Sequence, residues 1–166
     1  MTEKQPTEQR PTEKQPNPMK SFLTCAAAFE VAYESDDWSV VDELLADNIS
    51  WIVEGVDEPI GGVFFRRGPV IDAMRSSCNA FDRRFDVRIP AATETPITFP
   101  GGVYFPFSVT YQHPGLPDVS LNGLEWDFFV DGKLASHREI ILNASEVLAF
   151  VAAHDHDLRP TTEQPG

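Results

Sequence analysis

Residues 119–142 read VSLNGLEWDFFV-DG-KLASHREIIL, and their reading decides the fold. Apolar side chains recur at every second position on both sides of Asp131-Gly132, the period of a strand rather than of a helix. Asp-Gly between two such runs suits a two-residue hairpin, because both residues tolerate the positive φ of a type I′ turn. Upstream, Phe85–Pro90 and Val103–Gln112 alternate in the same way, divided by Pro96, by Pro100-Gly101-Gly102 and by Pro114-Gly115. Within 119–130, Leu124, Trp126, Phe128 and Val130 form the apolar face. Simple patterning turns that face inward and leaves Glu125 and Asp127 outside.

Ahead of the strands the period is close to 3.6. Phe22, Cys25, Ala26, Phe29, Ala32 and Tyr33 share one face of a helix predicted from Met19 to about Ser35. Asp36 or Asp37 is expected to cap a second helix with a buried stripe of Trp38, Val41, Leu44, Leu45 and Ile49. A short strand, Ser50–Glu54, and a Gly/Pro-rich turn region through Gly61-Gly62 follow. Gly68-Pro69 opens a third helix, with Val70, Met74, Cys78 and Phe81 on its apolar face. Asn143, with Glu146 three residues on, resembles a capping box and starts a helix through about His154. Helices first and antiparallel strands afterwards indicate an α+β domain. Its expected form is a strongly curved antiparallel sheet wrapped over the N-terminal helices, and a curved sheet closes off one cavity.

The ends read differently. A pentapeptide is written three times, at 2–6, 7–11 and 12–16, each copy closing on Pro. Such a segment offers nothing to bury, and Pro every five residues blocks helix and sheet. A disordered, partly polyproline-like tail is expected over 1–18, a single domain over 19–157 and a second disordered tail over 158–166. With 26 acidic against 13 basic side chains among 166 residues, the net charge is −13, which argues against a nucleic-acid partner. No apolar run is long enough to span a membrane and no secretion signal is visible, so a cytoplasmic protein is expected. Cys25 and Cys78 form no disulfide framework and read as small buried residues.

Two stretches carry a family resemblance. DWSVVDELLADNISW, residues 37–51, resembles the opening of the nuclear transport factor 2 superfamily. VDGKLASHRE, residues 130–139, is similar to the last hairpin of its SnoaL-like branch, relatives of ketosteroid isomerase and limonene epoxide hydrolase. The resemblance spans roughly Met19 to Asp157. It implies a cone-shaped α+β fold, an apolar pocket at the open end that takes a small, largely apolar molecule, and often a homodimer. The superfold hosts isomerases, cyclases, hydrolases and plain binding domains, so fold does not fix activity.

Glu139 aligns with the family's acid–base Asp. A carboxylate at the mouth of an apolar pocket gains proton affinity through desolvation, so it can take a proton from a carbon acid or activate a water. The plainer reading is a solvent-facing or salt-bridged Glu. His137, two residues earlier, shares the sheet face of Glu139 and could orient it or shuttle a proton; it could equally be a hydrogen-bonded polar residue beside the cavity. By the same resemblance Glu125 falls where isomerase relatives keep a neutral acid that donates to the substrate oxyanion. Two departures stand against isomerase chemistry of the family's own kind: Phe29 occupies the place of a catalytic Tyr, and Val53 that of the proton-abstracting Asp. Trp51, Phe105 and Phe107 read as core or pocket wall. His154 and His156 are two apart on a helix and point away from each other, so no metal is expected; proton transfer needs no cofactor either. A non-catalytic ligand-binding or dimerisation module is the alternative.

Overall fold

Asn17 starts the first helix. Its Oδ1 accepts the Met19 backbone N–H at 3.0 Å, and Pro18 takes the first helical position, where its missing N–H costs nothing. The computed structural model describes residues 16–161, so the repeat tail lies outside the described residues up to 15 and the C-terminal one from 162 onward. Helix α1 (Pro18–Ser35) ends at Asp36, whose left-handed backbone (φ 58°) lets its N–H close on the Ala32 carbonyl. At the other end Leu158 is buried and the Arg159 N–H binds the Arg84 carbonyl, so packing continues past the expected boundary at 157.

The expected second helix is corrected. Only Ser39–Asp42 forms a helical turn, α2, and strand β1 (Leu45–Glu54) already begins at Leu45. Trp38, Val41, Leu45 and Ile49 are all buried as the stripe requires. A spacing of four, however, suits a bulged strand as well as a helix, and β1 slips register between Leu45 and Ser50. Two short strands, β2 (Gly62–Phe65) and β4 (Ile97–Phe99), fall between the elements expected from the sequence. Helix α3 (Arg67–Ala80) buries Val70, Met74 and Cys78, and a 3₁₀ turn follows at Asp82–Arg84. Strand β3 is Val87–Ala92, β5 Gly102–Gln112, β6 Val119–Val130 and β7 Lys133–Ile141. Asp131 and Gly132 both take positive φ, 51° and 81°, as the hairpin demands.

The sheet runs β2-β1-β7-β6-β5-β3, with β4 also on β5. Its pairings are antiparallel except β1 with β7, which is parallel, so the wholly antiparallel sheet expected is a mixed one. Helix α4 (Ala144–Ala153) starts at Asn143, but the capping box is not made. The Asn143 side chain instead accepts from the Asn122 N–H and donates to the Ser120 carbonyl, both at 2.8 Å, tying α4 to β6.

Register also reverses the expected orientation of β6. Two rungs cross the inner face: Val53, Glu139, Glu125 and Phe105 in one, Trp51, His137, Asp127 and Val103 in the next. Val103 and Phe105 are core residues. Glu125 and Asp127 pair directly with them and therefore face inward, while Phe128 and Val130 are 41% and 48% exposed on the outside. The alternation is as expected and its sense is inverted over 124–128, where Glu125 and Asp127 face inward while Leu124, Trp126 and Phe128 face outward.

Candidate functional site

Four titratable side chains of the two rungs meet inside the cone. His137 Nδ1–H donates to Asp127 Oδ1 at 2.8 Å, and both side chains are about 95% buried. Glu125 Oε1 stands 3.7 Å from the same nitrogen, and Glu139 Oε2 lies 3.5 Å from Nε2 on the other side of the ring. Nε2 is buried and makes no hydrogen bond. The imidazole lies flat against the Trp51 indole, ring centroids 3.6 Å apart and planes 14° from parallel.

Burial opposes charge on His137, but the bond to Asp127, the contact with Glu139 and the nearby carboxylates outweigh it and raise its pKa to about 10. His137 is therefore an imidazolium at neutral pH. Glu125 is pushed well above the usual carboxylate range, chiefly by burial and then by the charge of Asp127, with His137 opposing. That shift favours the protonated form, which can donate a hydrogen bond. Two titratable groups on one wall are thus pushed toward different forms by their surroundings, His137 toward the cation and Glu125 toward the neutral acid.

These groups line a cavity of about 660 Å³ beneath α1 and α3. That is the size of a small-molecule site. Each residue singled out from the sequence borders it: Phe29, Trp51, Val53, Phe105, Phe107, Glu125, His137 and Glu139. Phe29 packs edge-on to Trp38, and Phe105 edge-on to Phe22. Val53, with an apolar side chain, stands beside Glu139 in the register, so the acids of this rung are carried by β6 and β7 and not by β1.

A second polar group on the same cavity was not foreseen. Tyr111 donates its hydroxyl to Asp82 at 2.5 Å, and Arg88 bonds both oxygens of Glu30, at 2.8 and 3.0 Å. Burial raises the Asp82 carboxyl, with the Arg88 guanidinium opposing, and burial likewise pushes the Tyr111 phenol up. The sequence signal was faint. Asp82 and Arg88 look like surface charges beside a 3₁₀ turn and an edge strand, and Tyr104 and Tyr111 are the only acid or base groups of β5. Cys25 and Cys78 also border the cavity, as unreactive thiols: burial pushes Cys25 up to about 12 and Cys78 further.

Glu125, Asp127 and His137 bring one ligand atom each within 4.8 Å of one another, a grouping that could gather around a cation. The direct Asp127–His137 bond already occupies the atoms such an ion would need.

No protein-family model matches the chain, and no curated protein matches it. Solved structures do. A candidate isomerase from Rhodopseudomonas palustris superposes with a TM-score of 0.67 at 15% identity, over 80% of this chain and 96% of the other. A nuclear transport factor 2-like protein of unknown function from Burkholderia pseudomallei gives 0.59 at 14% identity, over 79% and 96%. TerC, co-crystallised with polyporic acid, gives 0.59 at 12% identity, over 78% and 98%. At such identities the likeness speaks for architecture alone. The chain thus has the nuclear transport factor 2-like fold, an α+β cone with its polar rungs turned into the hollow.

Proposed function

We propose that the cone binds a small, largely apolar molecule and moves a proton within it, with Glu139 as base and Glu125 as the acid facing the developing oxyanion. The observation that carries this is the pairing of Glu125 with Glu139 across β6 and β7, each only 19% exposed, beside an imidazolium. A carbonyl compound seated there loses a C–H proton to a Glu139 oxygen. The electron pair moves into the enolate, whose oxygen accepts a hydrogen bond from the Glu125 O–H. Glu139 then returns the proton to a different carbon. His137, fixed by Asp127 and Trp51, sets its ring 3.5 Å from the Glu139 carboxylate, close enough to act on it through charge. Solved structures of the same fold at 12–17% identity include a candidate isomerase, a candidate hydroxylase and a protein co-crystallised with polyporic acid, which is compatible with this reading.

The test is exchange of deuterium from heavy water into a panel of cyclic enones, read by mass spectrometry. Wild type should label at least one probe, and Glu139→Gln should lose about 10²- to 10⁴-fold in rate with affinity kept. A variant that labels as fast as wild type, or a wild type that binds probes and labels none, reduces the protein to a binding module. Native mass spectrometry of protein purified from its own host would name the guest.

The outer face of β5 and β6 favours a second element of the reading, a homodimer. The rings of Tyr104 and Trp126 meet there at 5.0 Å, tilted by 37°, with exposed Phe128, Val130 and Ile97 on the same face. A patch of this kind is normally covered. Two cysteines with no disulfide among the described residues suit a reducing compartment such as the cytosol. No helix among the described residues is long and apolar enough to cross a membrane.

A further inference from the structure

Residues that line the cavity and yet stand in solvent mark its mouth. Among the described residues there are six: Leu23, Ala26 and Ala27 on α1, and Pro90, Ala91 and Ala92 on β3. Every other lining residue is buried or half-buried. The topology gives the reason. β3 is the last strand of the sheet, so the cone has a free edge there, and a side-chain bond from β3 to α1 shows which element faces that edge. All six rim side chains are apolar, which suits the passage of a largely apolar guest.

The inner row of β3 runs Arg88, Pro90, Ala92, opposite Tyr111, Val109 and Phe107 of β5. On α1, Leu23, Ala27 and Glu30 follow one another at the spacing of helical turns. A helical turn rises about 5 Å and two residues of strand about 7 Å, so the two rows can run side by side. At one end of them Arg88, the cation of the cavity's second polar pole, bonds both oxygens of Glu30, at 2.8 and 3.0 Å. The Leu, Ala and Pro side chains beyond have no group with which to bond across.

We propose that the Glu30–Arg88 pair is a cross-bar over the entrance, and that a guest passes between α1 and β3 only while the pair is parted. The inference rests on the reading above for an occupied cavity alone and needs no proton transfer. The two partners are unequal, as a cross-bar requires. The Glu30 side chain is 42% exposed and can swing into water with α1 in place, since Phe22 and Phe29 keep the helix packed on Phe105 and Trp38. Arg88 is 11% exposed and stays behind. Asp82, 3.3 Å from its Nε, and the rings of Tyr33 and Phe29, at 5.1 and 5.6 Å, still hold the guanidinium when Glu30 leaves. Opening therefore strands no buried charge, whose cost would otherwise keep the mouth shut.

Stopped-flow quenching of Trp51 by the cyclic enones gives both rate constants of binding. Glu30→Ala, a good helix former at a half-exposed site, should raise association and dissociation together, each about ten-fold, the worth of a charged hydrogen bond. The dissociation constant should move by less than about two-fold, because a cross-bar acts on passage and not on the seated guest. Salt separates the cross-bar from a merely structural role: raising NaCl to about 0.5 M should speed both steps in wild type and neither in Glu30→Ala. Ala92→Trp, on the exposed rim, should slow both steps together. Rates that stay put in Glu30→Ala place the mouth elsewhere, and a change in dissociation alone makes Glu30 a contact of the seated guest; either overturns the cross-bar. Enones that respond to Glu30→Ala as expected but take up no label leave the cross-bar standing while the proton-transfer reading fails. Failure of every enone to quench Trp51 overturns the occupied cavity and both proposals with it.

Discussion

Asp127 and His137 sit opposite each other on β6 and β7 and share a 2.8 Å hydrogen bond inside the cone. The carboxylate can only accept, so Nδ1 carries the proton and Nε2 is the nitrogen turned toward Glu139. This one bond fixes the ring plane, holds the imidazole against Trp51 and keeps it charged.

That charge makes stability depend on pH. The folded-state pKa of His137, about 10, lies above its unfolded value of roughly 6.5. Its stabilising contribution is therefore complete below about pH 6.5 and is lost as pH rises toward 10. Glu125, also raised, acts in the same sense, since the unfolded chain releases its proton earlier. The melting temperature should fall by at least about 5 °C between pH 6.5 and 9.5. Asp127→Asn should flatten that slope and bring the His137 titration, followed by NMR of the ring protons, down toward the ordinary range. A flat wild-type profile would mean that His137 is neutral.

Glu125→Gln distinguishes a neutral acid from an ionised one. Glutamine has the same shape, donates through its amide and carries no charge. If Glu125 is protonated as its burial dictates, the substitution should change unfolding free energy by less than about 1 kcal/mol and proton-transfer rate by less than about ten-fold. Urea titration and the exchange assay read the two. Glu125→Ala, which leaves neither donor nor acceptor, should lose rate by about 10²-fold or more.

Much of this architecture could be read from residue order, and the misreadings share a physical cause. Asp131-Gly132 marked the last hairpin, and 119–130 is a strand with the expected ends. What periodicity could not give was the sense of each strand, because alternation has two solutions and only the neighbours choose between them. Leu124, Trp126 and Phe128 look like a core row until Val103 and Phe105, one strand away, are seen to hold the inside. The Leu45–Ile49 stripe failed similarly, since burial every fourth residue suits a helix and a bulged strand alike. The pole at Arg88 was illegible for another reason: Glu30, Asp82, Arg88 and Tyr111 come from four separate elements and meet only after folding.

Gly123 tests how tightly the wall is built. A Cβ there would come 2.4 Å from Phe107 Cζ and 2.9 Å from the Ile140 carbonyl oxygen. The ring could swing away, but only into the cavity it lines, and the carbonyl belongs to the β7 ladder and cannot. Gly123→Ala should destabilise the fold by about 1–3 kcal/mol and weaken probe binding together, through displacement of Phe107. Denaturant unfolding and Trp51 fluorescence follow the two effects. Loss of stability with unchanged binding would place Phe107 outside the ligand's contact surface.

The inverted parity of β6 gives the outer face its own prediction. Phe128 is 41% and Val130 48% exposed, next to the Tyr104–Trp126 contact, whereas the two acids of this strand, Glu125 and Asp127, line the cavity. An apolar row kept outside at the cost of buried acids inside suits a strand with a protein partner on its outer face, and a second copy of this chain meets that need by two-fold symmetry. Sedimentation should give twice the chain mass for wild type. Phe128→Glu, at a site too exposed to be needed for folding, should raise the dissociation constant at least ten-fold and leave ketone affinity intact. A wild type that sediments at the single-chain mass at every concentration removes the dimer, and the apolar row then lies open to solvent.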